Sequence, residues 1–538
     1  MKTLLRFLLK PVVGFWLSIL LISAPNISFG QAADLILTNG KIFTADTAAL
    51  YVEALAIKDN LIAFGGAYIE AQKLAGENTS VIDLQGKTVI PGFNNAHEHL
   101  GFLAPIGKQV QEPFSVPGPS KRKTLEYIIE MLKDAEPGQW IRGLIGLNVL
   151  YDETMKRKLD SIAPNNPVLL QIMWGHGIIL NKKGMEVVGI SPTEPDPLGG
   201  WYGRMPNSDT LNGTIYEYAQ WPVWSTWIGS EPNNLIASIQ DYMEEMLEYG
   251  ITSTQDLSAM IKPSQIEDIF SKVNPPLRLR IIPFPGTTKN GRNIAEWQHL
   301  NRKPSPLTQI SGVKYMIDGT PIEQHALYRK PYENRPEWFG LLNMPVDTIK
   351  SILMEAFEGD IQHLLHVVGD STFNIILPLL KEAGTPEVWK KKRLRFEHSV
   401  PGGLSAEQIQ DIKNMGFVLM PTPQYVGSGP TASLLRNQIP MGISPDMLTN
   451  PFINIMLITS GHEDPDENLS REEAVIAYTL GNAFAEFAEH EKGTLTQGKL
   501  ADLAVLTHDV FTIPTEHLPM IRSVLTMVDG EIVYKVED

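Results

Sequence analysis

The chain contains no cysteine. This absence excludes a disulfide scaffold, a thiolate metal site and a cysteine nucleophile. Positive charge is also scarce, because 45 Lys and Arg residues stand against 61 Asp and Glu residues, for a formal net charge of −16. A chain of that sign does not favour nucleic acid or an anionic membrane as its main partner. With 43% hydrophobic and 20% charged residues in 538 positions, the composition is typical of a folded protein with a large core.

Long hydrophobic runs are absent except at the N-terminus. Residues 1–11 carry three basic residues and no acid, residues 12–23 are mostly apolar, and small residues precede Gln31. This order predicts a secretory signal peptide over residues 1–30. A membrane anchor is the alternative, but a bilayer span needs about 20 apolar residues and basic residues interrupt this run. We therefore expect an exported protein, periplasmic or secreted, with no membrane association after the signal is cleaved.

Both ends of the remaining chain consist of short apolar segments separated by turn dipeptides. Residues 34–43 turn at Asn39-Gly40, and the C-terminal segment turns at Asp529-Gly530. Such dipeptides between apolar runs are typical of β-hairpins. Because a lone hairpin cannot bury its apolar face, we predict that residues 31–90 and 490–538 pair into one small β-sandwich domain.

Between the two ends, eight apolar strand candidates alternate with amphipathic stretches that include residues 238–249, 345–358 and 405–414. This alternation predicts parallel strands with helical crossovers, an α/β architecture, and eight units predict a (β/α)8 TIM barrel over residues 91–489. The strand candidates are the segment from Val89 to His97 and residues 251–256, 277–283, 312–318, 361–366, 393–398, 416–420 and 439–444.

The interval from about residue 105 to residue 234 is too long for a single barrel connection, so we predict an insertion after the first barrel strand. Two interpretations of its many aromatic residues stay open. They form the core of a small packed subdomain, or they belong to a lid whose rings line a substrate pocket. The residues are Trp201, Tyr202, Tyr216, Tyr218, Trp221, Trp224 and Trp227.

A pair of histidines, His97 and His99, directly follows the first barrel strand. Residues two apart in an extended segment point the same way, so both imidazoles can reach one metal ion. Glu98 then faces the opposite side, where it supports the ligands or the scaffold. An H-x-H pair alone is a weak signal, but the carboxyl end of a barrel strand is where barrel enzymes place their catalytic residues.

Four further candidates lie at or near the ends of other strands. Each alone has a structural explanation, as a core histidine, a paired lysine or a helix-capping aspartate. Together with the histidine pair, they form a set of nitrogen and oxygen donors that suits one or two Zn²⁺ or similar divalent ions. These candidates are Lys314, His366, His398 and Asp446.

The motifs around these residues resemble the amidohydrolase superfamily and, more narrowly, the branch called amidohydrolase family 3, to which N-substituted formamide deformylase belongs. The likeness extends over nearly the whole mature chain. It is carried by Val89-Ile-Pro-Gly-Phe-Asn-Asn-Ala-His-Glu-His99, Gly312-Val-Lys-Tyr-Met-Ile-Asp-Gly319, His366-Val-Val-Gly-Asp370 and Arg395-Phe-Glu-His398.

This resemblance implies a role for each candidate. His97 and His99 bind one metal ion, and Lys314, carboxylated on its side-chain nitrogen, bridges that ion to a second. His366 and His398 bind the second ion, and Asp446 completes the site.

Two positions depart from the family pattern. Asn95 stands where the family usually has an aspartate before the histidine pair, and we expect it to lie behind the ligands. At the eighth strand, Gly442-Ile-Ser-Pro-Asp446 replaces the usual Gly-Ser-Asp. Asp446 therefore requires a shift of a residue or two, which the matching Asn450-Pro-Phe segment supports.

The resemblance also implies a reaction. A metal-bound hydroxide attacks an amide or N-formyl C–N bond, other than a peptide bond, while Asp446 moves the proton. His176, in Trp174-Gly-His-Gly177, hydrogen-bonds the developing oxyanion, or is a structural loop residue. Two alternatives stay open: an ester, lactone or cyclic amide as substrate, and a binding protein without turnover. The expected partner is a small molecule, and a homo-oligomer is compatible with the sequence.

Overall fold

The computed structural model describes residues 32–104, 107–109, 118–172, 175–398, 403–424 and 429–537. The predicted signal peptide over residues 1–30 lies outside these ranges, as does Trp174. In the ranges that are described, no helix is both long and apolar enough to cross a membrane.

The strands and α-helices alternate along the middle of the chain, whereas strands dominate its two ends. The strands are β1 (Leu35–Phe43), β2 (Tyr51–Lys58), β3 (Leu61–Gly66), β4 (Ser80–Asp83), β5 (Thr88–Pro91), β6 (Phe93–Glu98), β7 (Lys108–Gln109), β8 (Ile141–Ile145), β9 (Val168–Ile172), β10 (Gly177–Leu180), β11 (Gly200–Arg204), β12 (Leu211–Glu217), β13 (Ile251–Ser258), β14 (Arg278–Pro283), β15 (Gly286–Thr288), β16 (Gly291–Asn293), β17 (Thr308–Ile310), β18 (Val313–Met316), β19 (His363–His366), β20 (Arg395–His398), β21 (Val418–Pro421), β22 (Leu503–Leu506), β23 (Ser523–Val528) and β24 (Glu531–Lys535). The helices are α1 (Tyr68–Gln72), α2 (Lys121–Leu132), α3 (Leu147–Leu150), α4 (Met155–Ile162), α5 (Lys182–Val188), α6 (Trp221–Ser230), α7 (Pro232–Glu248), α8 (Pro263–Phe270), α9 (Ala295–Gln298), α10 (Val346–Glu358), α11 (Asp370–Ala383), α12 (Pro386–Lys392), α13 (Ala406–Met415), α14 (Thr431–Arg436), α15 (Pro451–Ser460), α16 (Arg471–Ile476) and α17 (Asn482–Ala485).

The two chain ends share one eight-stranded sheet. Its order is β24-β23-β22-β5-β1-β2-β3, and β4 pairs with β1. The barrel-strand candidate from Val89 to His97 is divided in two: β5 joins the two ends, running parallel to β1 and antiparallel to β22, and only β6 belongs to the barrel sheets. Leu37, Leu55, Val89 and Leu503 are fully buried in the core of this sheet.

The ends therefore pair as predicted, and Asp529-Gly530 forms the predicted turn, between β23 and β24. The turn predicted at Asn39-Gly40 is wrong, because β1 runs through this dipeptide as one strand: Asn39, with a φ of 58°, lies where the register against β2 shifts, as in a β-bulge. A two-layer sandwich stays a prediction.

The middle of the chain forms two four-stranded parallel sheets with helices between successive strands. One has the order β17-β14-β13-β6 and the other β18-β19-β20-β21. All their pairings are parallel. Because carboxyl ends of parallel strands share one edge, β6, β18, β19 and β20 bring the ends of four motifs together. This is a TIM-barrel-like α/β fold, as predicted.

The expected closed ring of eight strands is not formed by the hydrogen bonds of the described residues. Gly312, with a φ of 84°, separates β17 from β18 and divides the two sheets. The eighth strand candidate forms only an isolated parallel bridge, between Met441 and Leu419. Pro440 and Pro445 bracket this segment and have no backbone N–H to continue a ladder. The segment still lies between β21 and β6, because Ser444 N donates to Pro421 O at the end of β21 and Asp446 N donates to His97 O in β6.

The predicted helices are present with small shifts at their ends. The stretch expected over residues 238–249 begins earlier, as α7, because Pro232 suits a first helical turn. Ser405 caps α13 by accepting a hydrogen bond from Gln408 N, and Gly416 ends it with a φ of 65°. These helices cover the outer faces of the two parallel sheets, as crossovers of parallel strands do.

Between β6 and α7, a six-stranded sheet occupies the interval predicted as an insertion. Its order is β11-β12-β10-β9-β8-β7. Within it, Trp201 stacks on Tyr216 with ring centroids 5.4 Å apart. Tyr216 packs with Ile145, Leu170 and their neighbours in a separate apolar cluster, so part of the aromatic set forms a local core.

Candidate metal centre

His97 and His99 lie where β6 ends, and their side chains are oriented by different partners. His97 Nδ1 donates to Glu397 Oε2 at 2.8 Å, and His99 Nδ1 donates to Leu257 O at 2.6 Å. The Nε2 atoms then face Asp446 Oδ1, at 3.7 Å from His97 and 3.6 Å from His99. Hydrogen bonding of one ring nitrogen fixes the tautomer and frees the other nitrogen for a ligand.

Burial keeps both rings neutral. It lowers the pKa of His97 well below its usual value, and the charge of Lys314 adds to the shift. For His99, burial with the charge of Lys314 lowers the pKa to about 4, although the hydrogen bond to Leu257 opposes this. Neutral imidazole is the form that binds a metal ion.

Asp446 joins the histidine pair through its backbone as well as its carboxylate. Its backbone N donates to His97 O at 3.1 Å, and its φ of 47° is a left-handed value that few aspartates adopt. Donor atoms of His97, His99 and Asp446 all lie within 4.8 Å of one another. Burial raises the pKa of Asp446 to about 6, against the opposing charge of Lys314. The register predicted from the sequence therefore brings Asp446 to the pair.

His398 and His366, at the ends of β20 and β19, extend the site in a row of rings. The ring centroids of His97 and His398 are 5.0 Å apart, and those of His398 and His366 are 4.5 Å apart. His398 Nδ1 lies 2.9 Å from Thr422 Oγ1 and 3.9 Å from Asp446 Oδ2. His366 Nε2 donates to Gly319 O at 3.4 Å. Burial lowers the pKa of both rings well below the usual value, and Lys314 contributes to each shift.

Lys314 points into the same cavity from β18. Its side chain is 1% exposed, and its Nζ has no hydrogen-bond partner among the described residues. Burial lowers its pKa to about 7, although the charge of Glu397 opposes the shift. An unpartnered buried amine destabilises a fold unless something else occupies the site with it.

His176 faces this row from the opposite wall, at a ring-centroid distance of 5.2 Å from His366. Its Nδ1 lies 3.1 Å from both carboxylate oxygens of Glu217, the last residue of β12. Burial would lower the pKa of His176, but the charge and hydrogen bond of Glu217, with Glu323 farther away, raise it to about 9. His176 is therefore a cation at neutral pH with two N–H donors.

The remaining wall of the cavity is apolar. Trp221 and Trp224, from the aromatic interval, line it together with Phe102, Met260 and Phe284. Tyr218, Trp227 and Tyr202 are buried in the main core, to which Trp224 also belongs. The aromatic residues thus divide between packing and the cavity wall, and whether this interval moves as a lid stays a prediction.

Two predicted supporting residues lie behind the ligands. Asn95 Nδ2 donates to Glu98 Oε1 at 2.7 Å, and Tyr242 donates to Glu98 Oε2 at 3.3 Å. Glu98 is buried on the far side of the strand, as the alternation predicts. Of the other histidines, His325, His363 and His462 are buried and His508 is exposed.

Sequence reasoning missed three residues that contact the site. Glu397 orients His97 and directly precedes His398, so its place in the motif was a signal. Thr422 follows the seventh barrel strand, and its position after that strand was a weaker signal. Glu217 carries no spacing signal at all, because it meets His176 only through the pairing of β10 with β12, about forty positions apart in the chain.

The TIM-barrel-like scaffold carries histidines, a lysine and an aspartate at or near its strand ends, where barrel enzymes place their catalytic residues. The sequence profile of the amidohydrolase family matches residues 80–534. This chain belongs to the amidohydrolase family, as the motifs predict.

Several proteins are similar to this chain over nearly its full length. YtcJ of Bacillus subtilis is 26% identical over 546 residues, covering 92% of this chain and 98% of the relative. N-substituted formamide deformylase of Arthrobacter pascens is 24% identical over 552 residues, covering 94% and 99%. The crystal structure of an uncharacterized metal-dependent hydrolase from Pyrococcus furiosus has a TM-score of 0.65 at 22% identity, covering 89% of this chain and 100% of that chain. The likeness to the solved structure shows a shared fold.

Proposed function

We propose that this protein is an exported metal-dependent amidohydrolase that hydrolyses an amide or N-formyl C–N bond, other than a peptide bond, in a small molecule. One observation carries the proposal: donor atoms of His97, His99 and Asp446 lie within 4.8 Å of one another, at strand ends of an amidohydrolase-family chain. A compact set of imidazole and carboxylate donors suits a divalent ion.

The side chains around the pair fit such an ion. Glu397 and Leu257 O each hold the Nδ1 of one histidine, and metal-binding histidines commonly have their second nitrogen held in this way. Nitrogen and oxygen donors without thiolate are compatible with Zn²⁺, which we propose as the ion. His366, His398 and Lys314 could hold a second ion beside the first.

Lys314 has the surroundings of a carboxylated lysine. Its Nζ is buried without a partner among the described residues, and its lowered pKa favours the neutral amine. That amine attacks CO₂, so that an N–C bond forms, one proton leaves the nitrogen, and the resulting carbamate carries one negative charge. Carbon-13 bicarbonate should give one carbamate resonance in the ¹³C NMR spectrum of the holoenzyme, and Lys314→Met should lack it.

Asp446 and His176 supply the proton chemistry. A divalent ion bound at the site would polarise the substrate carbonyl and lower the pKa of a water molecule. Asp446, whose pKa is raised to about 6 by burial, would accept a proton from the attacking water and return it to the leaving amine. His176 donates a hydrogen bond from Nε2 to the carbonyl oxygen as negative charge develops.

The choice of an amide or N-formyl group follows from the motifs and from the relative that is named a formamide deformylase. An ester, lactone or cyclic amide would use the same groups, and a binding protein would keep the cavity without turnover. The apolar wall of Trp221, Trp224 and Phe284 favours an uncharged, bulky group next to the reacting carbonyl, because burying charge against it is costly.

The test combines metal analysis with a turnover screen of matched N-formyl, amide, ester and lactone substrates. We expect one or two ions per chain and turnover of the C–N substrates. His97→Ala with His99→Ala should remove at least one ion and abolish hydrolysis. The control is His490→Ala with His508→Ala, since both rings are exposed.

Each other outcome contradicts part of the proposal. Ester or lactone turnover without amide turnover replaces the substrate class, and bound metal without any turnover favours the binding protein. Full activity in the His97→Ala, His99→Ala variant rules out the site.

Export rests on the N-terminal sequence. If the signal peptide is removed as proposed, protein recovered from the periplasm or medium should begin near Gln31. Recovery of the intact N-terminus only from the cytoplasm would contradict export.

A further inference from the structure

A buried acid from the inserted sheet contacts the proposed catalytic histidine. Glu217 ends β12 with a fully buried side chain, and both of its carboxylate oxygens lie 3.1 Å from His176 Nδ1. Among the described residues, His176 is the one group that forms an ion pair with it. Burying a carboxylate without a partner is costly, and this pair joins the segment before β10 to the end of β12, its neighbour in the inserted sheet.

The backbone around Glu217 is held in an unusual conformation. Its φ of 50° and ψ of −133° lie outside the regions that ordinary residues favour. Such conformations persist where the surroundings fix them, and they concentrate at functional sites. Tyr218 provides one constraint, because its hydroxyl accepts a hydrogen bond from Met316 N at 3.1 Å. Glu217 is thereby tied to β18, the strand that carries Lys314.

The space around the carboxylate is equally restricted. A Cβ atom added at Gly319 would lie 2.8 Å from Glu217 Oε1, so a larger residue there would displace the acid. Gly319 O also accepts the hydrogen bond from His366 Nε2. One short turn after β18 therefore contacts both Glu217 and a predicted metal ligand.

The geometry points to Glu217 as a positioning residue: we propose that it holds His176 by Nδ1–H, so that Nε2 points to the reacting carbonyl. No hydrogen bond joins Nε2 to another described residue, and His176 lines the cavity. This proposal rests on the catalytic role of His176 in the proposed function. It also makes the inserted sheet a part of the active site.

A double-mutant cycle tests whether Glu217 acts through His176. Glu217→Met removes both oxygens at similar length, and we expect kcat to fall about 10²-fold with KM little changed, as for loss of an oxyanion donor. Glu217→Gln keeps one acceptor and should retain more activity. Adding Glu217→Met to His176→Asn should cause no further loss. Losses that multiply in the double variant would overturn the proposal.

Glu486→Gln is the matched control. Glu486 is a 7% exposed carboxylate that pairs with Lys492 at 2.8 Å, near the start of β6 and away from the cavity. If Glu217→Met lowers kcat no more than Glu486→Gln does, Glu217 is structural. Urea unfolding of each variant separates lost activity from lost folding. If Glu217→Met does not fold, Glu217→Gln replaces it in the kinetic comparison.

A spectroscopic measurement keeps this inference separate from the proposed function. In ¹⁵N-histidine-labelled protein, the His176 signals are identified by their absence in His176→Asn. We expect Nδ1–H to be protected from solvent exchange in the wild type and exposed in Glu217→Met. Unchanged protection overturns the positioning role even if hydrolysis is found, whereas protection lost without any hydrolysis in the wild type refutes only the enzymatic function.

Discussion

Two groups of buried polar side chains occupy the barrel, and they differ in how completely they are hydrogen bonded. In the interior group, Arg395 donates to Glu397 Oε1 at 2.9 Å, to Gln255 Oε1 at 2.6 Å and to Ala96 O at 3.1 Å. Arg280 donates to Ser311 and Gln362, each at 2.8 Å. These groups are satisfied by one another.

The second group, called the rim group, lies at the strand ends around the cavity and is not fully hydrogen bonded. Lys314, which lines the cavity, has its Nζ buried without a partner among the described residues. Buried polar groups in folded proteins nearly always have a hydrogen-bond partner. The interior group is therefore complete without a ligand, whereas the group at the strand ends is expected to bind one. Glu397 belongs to both groups, because it joins Arg395 to His97.

The sharpest test of this contrast is at the rim. Asp446→Asn keeps the size of the side chain and one acceptor oxygen but removes the proton acceptor. We expect metal to remain bound and kcat to fall by about 10²–10⁴-fold, as measured by metal analysis and steady-state kinetics. The free energy of unfolding should change little.

The contrary result is equally specific. If Asp446→Asn is harmless and substitution of Ser444 abolishes turnover, the eighth-strand register is wrong, and the acid that moves the proton lies elsewhere.

The corresponding change in the interior should affect folding and not chemistry. Arg395→Met removes one partner of a buried ion pair and leaves Glu397 uncompensated, which costs about 3–5 kcal/mol of unfolding free energy. Urea denaturation measures this loss. Arg436→Met, at a surface pair with Glu467 whose arginine is 56% exposed, should cost at most about 1 kcal/mol.

The distinction between the two groups is wrong if Arg395→Met has the same urea midpoint of unfolding as the wild type but loses bound metal. The interior group would then act on the ligands directly, and Arg395 would belong to the metal centre.

The same contrast explains how far the sequence predicts the site. Side chains at strand ends could be predicted, because parallel strands bring their carboxyl ends to one edge whatever lies between them. His366 and His398 meet for this reason at the ends of β19 and β20, which pair in one sheet, and His97 reaches them from β6 of the other sheet, about three hundred positions before His398.

Contacts that do not depend on strand order could not be predicted. Glu217 meets His176 through the pairing of β10 with β12 inside the insertion, and no period or motif marks that pairing. The eighth strand was also expected, but Pro440 and Pro445 on either side of Met441 leave a single bridge. Prolines limit pairing locally even where an apolar run predicts a strand.

The smallest predicted effect concerns Lys314 in the metal-free protein, kept in chelator and CO₂-free buffer. Burial lowers its pKa to about 7 in the folded state, whereas the unfolded chain retains about 10.4. Between these values the unfolded state binds more protons, so stability rises with pH, and below pH 7 the penalty is complete. Lys314→Met should therefore be more stable than the wild type by on the order of 1–3 kcal/mol near pH 7. This advantage should shrink towards pH 10, as followed by urea denaturation at each pH. A difference that is constant over this range would mean that Lys314 has a partner in the apo protein and that the rim is complete without a ligand.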